Sequence, residues 1–553
     1  MSPTPEHRRK RVVARARRVI DRLFPAPRPF SVQLWDATLL PADGDARFTL
    51  RLHHPAVLRR LLRPPVERSF GEAYVQRHID VDGDVHEAIA LLGGALDRPW
   101  RMRELASIAW DVIRLPRLPG RVRAARAAAT AAPQEAAAPA EPAAAADTHD
   151  AHGRSASSPP NAGTPQRRAA VARSRARLHG TLHSRARDRE AIRYHYDVGN
   201  DFYALWLDRN RQYSCAYFRT GREDIDVAQE QKLEHICRKL RLQPGERLLD
   251  IGCGWGGLAL YAAERWGCRV TGVTLSREQM THATRWAAER SLTDRVQIRQ
   301  QDYRDIQGER FDKVVSVGMV EHVGGSHLAE YFAHVFQLLH PGGLFLNHGI
   351  SRAASDLPLH LALGGATRDA SKRGELSSSI TRAHDATALE TGRDHAVAAF
   401  APRPAVERLG AAGGHRMATT GARTPLWRRA IVAALVQPGS FRRAYVFPDG
   451  ELVPVSRMNL VAERAGFEVR DVENLREHYA LTLRRWVDRL QAQRDAAVRQ
   501  VGDAVVRVWQ LYMAGAALYF ESGAININQT LFAKPLNGRV SLPFTRQHLY
   551  AQH

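Results

Sequence analysis

A cluster of four glycines between residues 252 and 257 is the stretch of the sequence best suited to bind a ligand. It follows Leu248, Leu249 and Ile251, an apolar run that is typical of a buried parallel strand. Glycines at this point allow a tight turn and let the backbone approach a ligand closely. Asp250 lies two residues before the first glycine, and the cluster lacks the lysine of a phosphate-binding loop. The pattern therefore argues against a bound phosphate and favours a ligand with a cationic or neutral centre.

The glycine cluster is expected to lie in a βαβ unit that a second strand over residues 269–273 completes. Further strands are expected over residues 296–299, 311–317 and 344–347. This alternation predicts an α/β fold with a doubly wound parallel sheet, which binds ligands at the carboxyl ends of its strands. An ordinary tight turn in another doubly wound domain is the alternative interpretation of the glycines.

The composition limits the kinds of partner that the protein binds. Its 553 residues suffice for two or three domains, and its net charge of +22 comes mostly from arginine. Such a surplus implies an anionic partner: a nucleic acid, an acidic lipid surface or a phosphorylated substrate. The four cysteines lack metal-ligand spacing, so we expect no metal site and a reducing compartment. Because the sequence shows no apolar run of membrane-spanning length and no signal peptide, we expect a cytoplasmic protein that can act at a membrane surface.

Composition also divides the chain into segments. The N-terminal segment is expected to be a small α+β domain, followed by a disordered linker that is rich in Ala, Pro and Arg. Residues 351–440 interrupt the strand–helix pattern and are interpreted as a low-complexity insertion. The complete prediction is an N-terminal domain over 1–118, the linker over 119–184, a catalytic domain over 185–350 and 441–535, the insertion over 351–440, and a loose tail over 536–553.

Two features of the N-terminal segment carry separate expectations. Residues 7–24 interleave arginines with apolar residues, which suits a helix on an anionic membrane surface and equally suits a docked terminal helix. Both interpretations remain open. Gly71, Glu72 and Tyr74 are expected in a turn-rich stretch ahead of another helix. On its own, this stretch resembles no catalytic site.

Eight segments, in order along the chain, resemble the cyclopropane-fatty-acyl-phospholipid synthase family, which includes the mycolic-acid cyclopropane synthases. They are YHYDVGNDFYALWLD, QYSCAYF, LDIGCGWGGLA, GVTLSREQ, QDYRD, VSVGMVEHVG, YVFPDGEL and NLREHYALTLRRW. FGEAYV resembles part of the family's N-terminal domain. The resemblance implies a Rossmann-like class I methyltransferase domain with S-adenosylmethionine as cofactor. The linker is longer than the family pattern, and the insertion separates motifs that are normally much closer, which puts the pocket in doubt.

The resemblance also assigns the cofactor site. The backbone of Gly252 and Gly254 should approach the methionine part of the cofactor. Thr274 and Leu275 stand where most class I methyltransferases have a ribose-binding acid, so the resemblance gives the ribose to Gln279. The remaining assignments are Asp250 bracing the loop or reaching the amino group, Asp302, Tyr303 and Val317 beside the adenine, and Tyr213 and Ser214 covering the cofactor from the other side.

The family reaction transfers a methylene group from S-adenosylmethionine to a cis double bond of an acyl chain. The alkene attacks the sulfonium methyl, and the resulting carbocation loses a proton to close the ring. The site therefore needs a dry tunnel, groups that tolerate a cation, and a base. Family members hold a bicarbonate ion as that base, and the resemblance carries this task to Cys215, Glu321, His348, Ile350 and Tyr479.

Within this set, the resemblance suggests separate roles. His348 and the backbone of Cys215 and Ile350 would hold the anion, whereas Glu321 would orient the anion or His348. Tyr479 would hydrogen-bond the anion and offer its ring to the cation. Ordinary explanations also exist: Cys215 as a small buried side chain, Glu321 as a helix-start charge and His348 as a core histidine. Positions at strand ends, where doubly wound folds bind ligands, weaken these explanations.

Two other functions remain open. One is a C-methyltransferase that acts on an unsaturated acyl chain or a small molecule without closing a ring. The other is a non-catalytic protein of lipid surfaces, in which the basic N-terminus acts and the insertion has broken the site. No base-reading motif accompanies the charge, so no nucleic-acid partner is expected. The expected setting is the inner face of an anionic phospholipid membrane, and a homodimer is also open.

Overall fold

A computed structural model gives the structure of the chain. The predicted linker and insertion lie outside the described residues, apart from their ends. The residues that the structure describes are 4–97, 100, 102–117, 176, 178–196, 198–354 and 439–550.

The N-terminal part of the chain is a small sheet with helices around it. Its elements are α1 (Pro5–Leu23), β1 (Ser31–Gln33), β2 (Leu39–Leu40), β3 (Phe48–Leu52), α2 (Val57–Leu61), α3 (Val66–Val75), β4 (Ile79–Gly83), α4 (Val85–Asp97) and α5 (Met102–Ile113). The strand order is β2-β1-β3-β4, and β1 and β3 are parallel. Strand β3 buries Phe48, Leu50 and Leu52 on one face, as the period of two requires.

The apolar side of α1 faces the protein core. Val19 and Ile20 are buried there. Arg18 and Arg22 of α1 both bind Asp111 of α5, at 2.9 and 2.7 Å. The structure therefore agrees with the interpretation of residues 7–24 as a docked terminal helix. The arginine side of α1 faces outward.

The prediction of a turn-rich stretch around Gly71, Glu72 and Tyr74 is wrong, because all three lie within α3. Gly71 faces the ring of Phe441, and a Cβ atom at this position would overlap that ring. The glycine therefore allows close packing between two parts of the chain, and the sequence pattern could not distinguish this use from a turn.

The larger part of the chain forms a seven-stranded sheet between helices. Its elements are α6 (Arg185–Tyr196), α7 (Asn200–Ala204), α8 (Ile225–Leu240), β5 (Arg247–Ile251), α9 (Gly257–Trp266), β6 (Arg269–Thr274), α10 (Arg277–Glu289), β7 (Val296–Gln300), β8 (Phe311–Val317), α11 (Leu328–Leu338), β9 (Leu339–Arg352), α12 (Ser440–Tyr445), α13 (Val455–Arg464), β10 (Glu468–Asn474), α14 (Arg476–Ala492), α15 (Arg494–Val501), α16 (Asp503–Glu521), β11 (Ile525–Ala533) and α17 (Gln547–Tyr550). The strand order is β10-β11-β9-β8-β5-β6-β7, with β5 to β9 parallel and β10 and β11 antiparallel. The predicted α/β fold, doubly wound and Rossmann-like, with a small N-terminal α+β domain, is confirmed.

Three details at the C-terminal side of the sheet differ from the expectation. Strand β9 does not end at residue 347 but continues to Arg352, paired along that length with β11. Strand β11 was not predicted, because its buried Asn528, Gln529 and Thr530 hide the apolar pattern of a strand. The described part of the segment expected to be a loose tail is held in place, since Arg546 pairs with Asp471 at 2.5 Å and the Ser541 carbonyl oxygen accepts from Arg241 at 2.6 Å. Among the described residues, no helix is long and apolar enough to cross a bilayer.

A buried arginine joins the domain of the four-stranded sheet to the domain of the seven-stranded sheet. Arg507 of α16 donates from Nε to the carbonyl oxygen of Tyr74 at 2.7 Å and from a terminal nitrogen to that of Ile79 at 2.9 Å. It also pairs with Asp80 at 2.6 Å, and its guanidinium stacks 3.8 Å from the Tyr74 ring centroid. The N-terminal domain is thus attached to the helix that packs behind the catalytic sheet.

Replacing Arg507→Met should destabilise the protein by about 3 kcal/mol, because it leaves the buried carbonyl oxygens of Tyr74 and Ile79 without this donor and removes the arginine from Asp80. Calorimetric unfolding of the full chain measures this as a lower melting temperature. Arg499→Met, an exposed position on the adjacent α15, is the matched control and should leave the melting temperature unchanged. Equal melting temperatures for both variants would show that Arg507 does not hold the domains together.

Candidate functional site

A cleft opens at the carboxyl ends of β5, β6 and β8, where a doubly wound sheet binds its ligand. All eleven residues assigned to the cofactor from the sequence line it together. They are Tyr213, Ser214, Asp250, Gly252, Gly254, Thr274, Leu275, Gln279, Asp302, Tyr303 and Val317. The fold therefore brings residues that are distant in sequence together around a single cleft.

The glycine turn has the backbone conformation that the sequence indicated. Gly252 and Gly254 have φ angles of +79° and +55°, in the left-handed region that favours glycine. The amide groups of Gly252 and Cys253 donate to the carbonyl oxygen of Val273 at 2.9 and 3.1 Å, which ties the turn to β6. A Cβ atom on Gly254 would meet no heavy atom within 4 Å, so this glycine faces open space. The backbone is thus free for a ligand to approach.

The end of β6 holds Gln279 at the wall of the cleft. Thr274 Oγ1 donates to Gln279 Oε1 at 2.9 Å, and Ser276 caps α10 by accepting from the Gln279 amide at 3.3 Å. Thr274 therefore keeps the neutral amide of Gln279 in position beside the end of β6, where the sequence has no ribose-binding acid.

Asp302 and Arg304 form a charged wall. Burial acts to raise the pKa of Asp302, but hydrogen bonds from Arg304 at 2.7 and 2.9 Å outweigh it, so the pKa lies below its ordinary value. Arg304 also binds Asp188 of α6 at 3.1 Å. The carboxylate of Asp302 thus stays ionised at the cleft, and the same arginine connects the cleft to α6.

The cofactor residues assigned from the sequence do not include several side chains on and around α6 that line the cleft. Asp188, Tyr196, Trp255 and Arg304 all line the cleft. Trp255 Nε1 also donates to Asn200 Oδ1 at 2.8 Å. The tyrosine, asparagine, tryptophan and arginine occur inside the family-like segments, so those segments held the signal, but nothing in their spacing singled these residues out.

Glu321, one of the five residues assigned to catalysis, is buried at the end of β8. Its Oε1 accepts a hydrogen bond from the backbone amide of Ile350 at 2.6 Å. Its Oε2 has no hydrogen-bond partner among the residues that the structure describes. Burial raises the pKa of Glu321 to about 7. The carboxyl group can therefore exchange a proton near neutral pH, and its partner is the Ile350 backbone rather than His348.

Cys215, Tyr479 and Ile350 are linked through Leu475. The Cys215 thiol and the Tyr479 amide both point at the Leu475 carbonyl oxygen, at 3.7 and 3.0 Å. The Leu475 amide donates to Ile527, which pairs with Ile350 across β11 and β9. Burial raises the pKa of the Cys215 thiol well above its usual range, in keeping with an uncharged side chain that is not a nucleophile.

His348 lies on the same strand as Ile350 and faces β11. Its Nδ1 lies 3.4 Å from Gln529 Nε2, and its Nε2 has no hydrogen-bond partner within the described ranges. Burial lowers the pKa of His348 well below its usual range, so the ring is neutral. The structure thus places Glu321 in direct contact with Ile350 and connects Cys215 and Tyr479 to Ile350 through Leu475 and Ile527. His348 lies two positions along β9, against Gln529.

Aromatic side chains pack around Tyr213, which lines the cleft. Ring centroids of six residues lie 5.3 to 6.3 Å from that of Tyr213, namely His195, Tyr196, Tyr203, Trp206, Trp486 and Trp509. Such a lining excludes water, packs against apolar chains and offers ring faces to a cation.

Comparison with known proteins identifies the family of the chain. A family model described as mycolic acid cyclopropane synthetase matches residues 183–363 and 411–530. The chain belongs to this family. Another family model, of a domain of unknown function, matches residues 17–95.

Two relatives, from Pseudomonas putida and Escherichia coli, support the assignment. A "probable fatty acid methyltransferase" of Pseudomonas putida is 33% identical over 525 residues, which cover 94% of this chain and 96% of that protein. The cyclopropane-fatty-acyl-phospholipid synthase of Escherichia coli is 49% identical over 163 residues, which cover 30% of this chain and 41% of the relative. A solved cyclopropane synthase from Mycobacterium tuberculosis is 26% identical with a TM-score of 0.47, covering 63% of this chain and 98% of the other. The protein is an S-adenosylmethionine-dependent methyltransferase of the cyclopropane synthase family.

Gly257→Ala should weaken binding of S-adenosylhomocysteine by about tenfold, because a Cβ atom there would overlap the Asn210 carbonyl oxygen and the Gln212 side chain. Both belong to the segment that carries Tyr213 and Ser214 over the cleft. Isothermal titration calorimetry measures the affinity. Gly515→Ala, on α16 where a Cβ atom meets nothing within 4 Å, is the control. Unchanged binding by Gly257→Ala would mean that this segment does not cover the cofactor.

Proposed function

We propose that the protein forms a cyclopropane ring on the cis double bond of an unsaturated phospholipid acyl chain. The methylene group comes from S-adenosylmethionine, and the proton lost on ring closure goes to a base held beside Glu321. The observation that carries the proposal is the buried Glu321 carboxyl group, which has one oxygen on the Ile350 amide and the other without a described partner. A buried carboxyl group with one oxygen available suits a site that must hold a proton acceptor for the carbocation.

The chain's own residues account for the other requirements of the reaction. The glycine turn and Gln279 bind the cofactor, and the aromatic lining keeps water from the carbocation. Tyr479 packs 4.6 Å from the Phe520 ring, which fixes the tyrosine ring beside the reacting chain. Its ring face stabilises positive charge.

The residues fit a bicarbonate ion as the base. When bound, bicarbonate would supply the proton acceptor. Glu321 suits it because a carboxyl group with a pKa of about 7 is partly protonated at neutral pH and can donate to an anion without repelling it. The neutral His348 ring, whose Nε2 has no described partner, would add a further contact.

A second candidate is methylation of an unsaturated fatty acyl chain without ring closure. Its support is the Pseudomonas putida relative, whose name is a fatty acid methyltransferase and which matches 94% of this chain. Both reactions share the cofactor cleft and the carbocation, and they differ in how the cation is resolved.

We further propose that the protein works on an anionic phospholipid surface, at the inner face of the membrane. One face of α5 exposes Trp110 and Ile113, at 58% and 63% of their areas. The Arg114 guanidinium lies 3.6 Å from the Trp110 ring centroid, and Arg103 and Arg117 are also exposed. Tryptophan and an aliphatic residue among arginines suit the boundary between anionic head groups and acyl chains.

Expression of the protein in a host that lacks cyclopropane lipids should add the mass of one methylene group to unsaturated phospholipids and remove their olefin signal. Glu321→Gln should lower product formation at least about a hundredfold, because the amide cannot share a proton with the base. It should keep its affinity for S-adenosylhomocysteine. Mass spectrometry of the lipids and calorimetry of the variant give the two measurements.

Glu330→Gln, an exposed carboxylate on α11, is the matched control and should retain full activity. A mass gain with an olefin or a saturated methyl branch in the product would favour the second candidate. Full activity of Glu321→Gln would remove Glu321 from the mechanism.

Trp110→Ser combined with Ile113→Ser should weaken binding to vesicles that contain phosphatidylglycerol by about tenfold, since two apolar side chains no longer enter the lipid. Sedimentation with these vesicles and with pure phosphatidylcholine measures the binding. Val472→Ser with Leu536→Ser, exposed apolar residues of the other domain, is the control. Equal vesicle binding by both double variants would contradict the proposal, and a change from dimer to monomer instead would assign the face to a second copy.

A further inference from the structure

Cys215 carries a buried backbone amide that has no acceptor within the described protein. The residue is completely buried, and no acceptor atom of the described residues lies within hydrogen-bond reach of its N–H group. The next three amides along the chain, those of residues 216–218, each have an acceptor at 3.0 Å. A buried amide without an acceptor is rare in a folded protein, so this group is typical of a ligand contact.

Gln229 fixes the peptide unit that contains this amide. The Ser214 carbonyl oxygen and the Cys215 N–H group belong to one planar trans peptide, so they point in opposite directions. Gln229 of α8 is completely buried and donates from Nε2 to the Ser214 carbonyl oxygen at 2.8 Å. Lys232, also on α8, holds the Ser214 hydroxyl at 3.0 Å. The bond from Gln229 on one side of the peptide therefore turns the Cys215 N–H group to the other side.

Thr482 fixes the following peptide unit from another helix. Its Oγ1 accepts from the Ala216 amide at 3.0 Å and donates to the His478 carbonyl oxygen, one turn back along α14, at 2.7 Å. Because the hydroxyl hydrogen is committed to His478, the oxygen is available to accept from Ala216. Thr482 is completely buried and lies within one turn of Tyr479, another residue assigned to the anion. The hydroxyl therefore ties the Cys215 backbone to the helix that carries Tyr479.

We propose that Gln229 and Thr482 are positioning residues, which hold the two peptide units beside Cys215 so that its amide can donate to the anion of the catalytic base. The proposal rests on the bicarbonate part of the proposed function. Neither side chain lines the cofactor cleft. A purely structural role would satisfy the Ser214 and Ala216 groups but would not leave the amide between them free. Since hydrogen bonds weaken steeply with angle, a rotated peptide would lose much of its bond to an anion.

Bicarbonate affinity tests the proposal directly. Sodium bicarbonate is titrated into bicarbonate-depleted protein saturated with S-adenosylhomocysteine, and calorimetry measures the affinity, with sodium chloride as the reference salt. Thr482→Val, which keeps the shape of the side chain and removes its hydroxyl, should weaken bicarbonate binding about tenfold. Thr482→Ser should restore the affinity to within about twofold of wild type. Both variants should bind S-adenosylhomocysteine as wild type does.

Gln229→Leu should also weaken bicarbonate binding about tenfold, because the Ser214 carbonyl oxygen loses its donor. This variant decides the question if Thr482→Val does not fold. Ser69→Ala is the matched control, since Ser69 of α3 donates to the Arg63 carbonyl oxygen at 2.6 Å and its loss removes a side-chain hydrogen bond in the N-terminal domain. It should lower the melting temperature and leave the bicarbonate affinity unchanged.

Unchanged bicarbonate affinity in either folded variant would overturn the proposal. Wild-type protein that binds no bicarbonate would overturn it too, as would equal losses of bicarbonate and S-adenosylhomocysteine affinity in Thr482→Val, which would mean a general loosening of the site. The proposed lipid reaction fails separately, because a product without a cyclopropane ring contradicts it whatever the bicarbonate affinities are. A ring in the product together with unchanged bicarbonate affinity in both variants would overturn only the positioning role.

Discussion

Three buried ionisable side chains set the conditions for the whole site. Asp250, Lys232 and Glu321 have no ion-pair partner among the described residues, and each has a pKa shifted toward neutrality by burial. A dry interior makes every electrostatic contact stronger and every unmatched charge more costly. The surrounding fold therefore has to exclude water and still supply polar contacts. The aromatic lining meets the first need, and backbone amides such as that of Ile350 meet the second.

The pairing of β9 with β11 satisfies the polar groups that the catalytic side of the sheet buries. Leu344 to Arg352 pair with Ile525 to Ala533 without interruption, so β9 is no longer an edge at the point where it carries His348 and Ile350. Buried Asn528 bonds Ser351, and Gln529 faces His348. A strand with polar side chains is thus suited to cover a site that must remain polar.

The sequence alone predicted which residues line the cofactor cleft. It did not predict the contacts in the rest of the site. Gly252, Gly254 and Thr274 act through backbone turns and strand ends that lie within a short stretch, so their local pattern predicts their position. The bond between Glu321 and the Ile350 amide depends on the turn after β8 and on β9, which meet only in three dimensions. In the same way, Gly71 resembled a turn because its partner, Phe441, is remote in sequence. The contribution of Arg304 to α6 is a contact of the same non-local kind.

The position of β11 also bears on how the protein is made. Strands β5 to β8 follow one another closely along the chain, so the cofactor cleft is built mainly from contacts that form early in synthesis. Strand β11 follows β9 and β10 along the chain and then inserts between them. Chain order therefore separates the two halves of the active site: the methyl-donor cleft lies in a run of neighbouring strands, whereas the catalytic half depends on a strand that comes later.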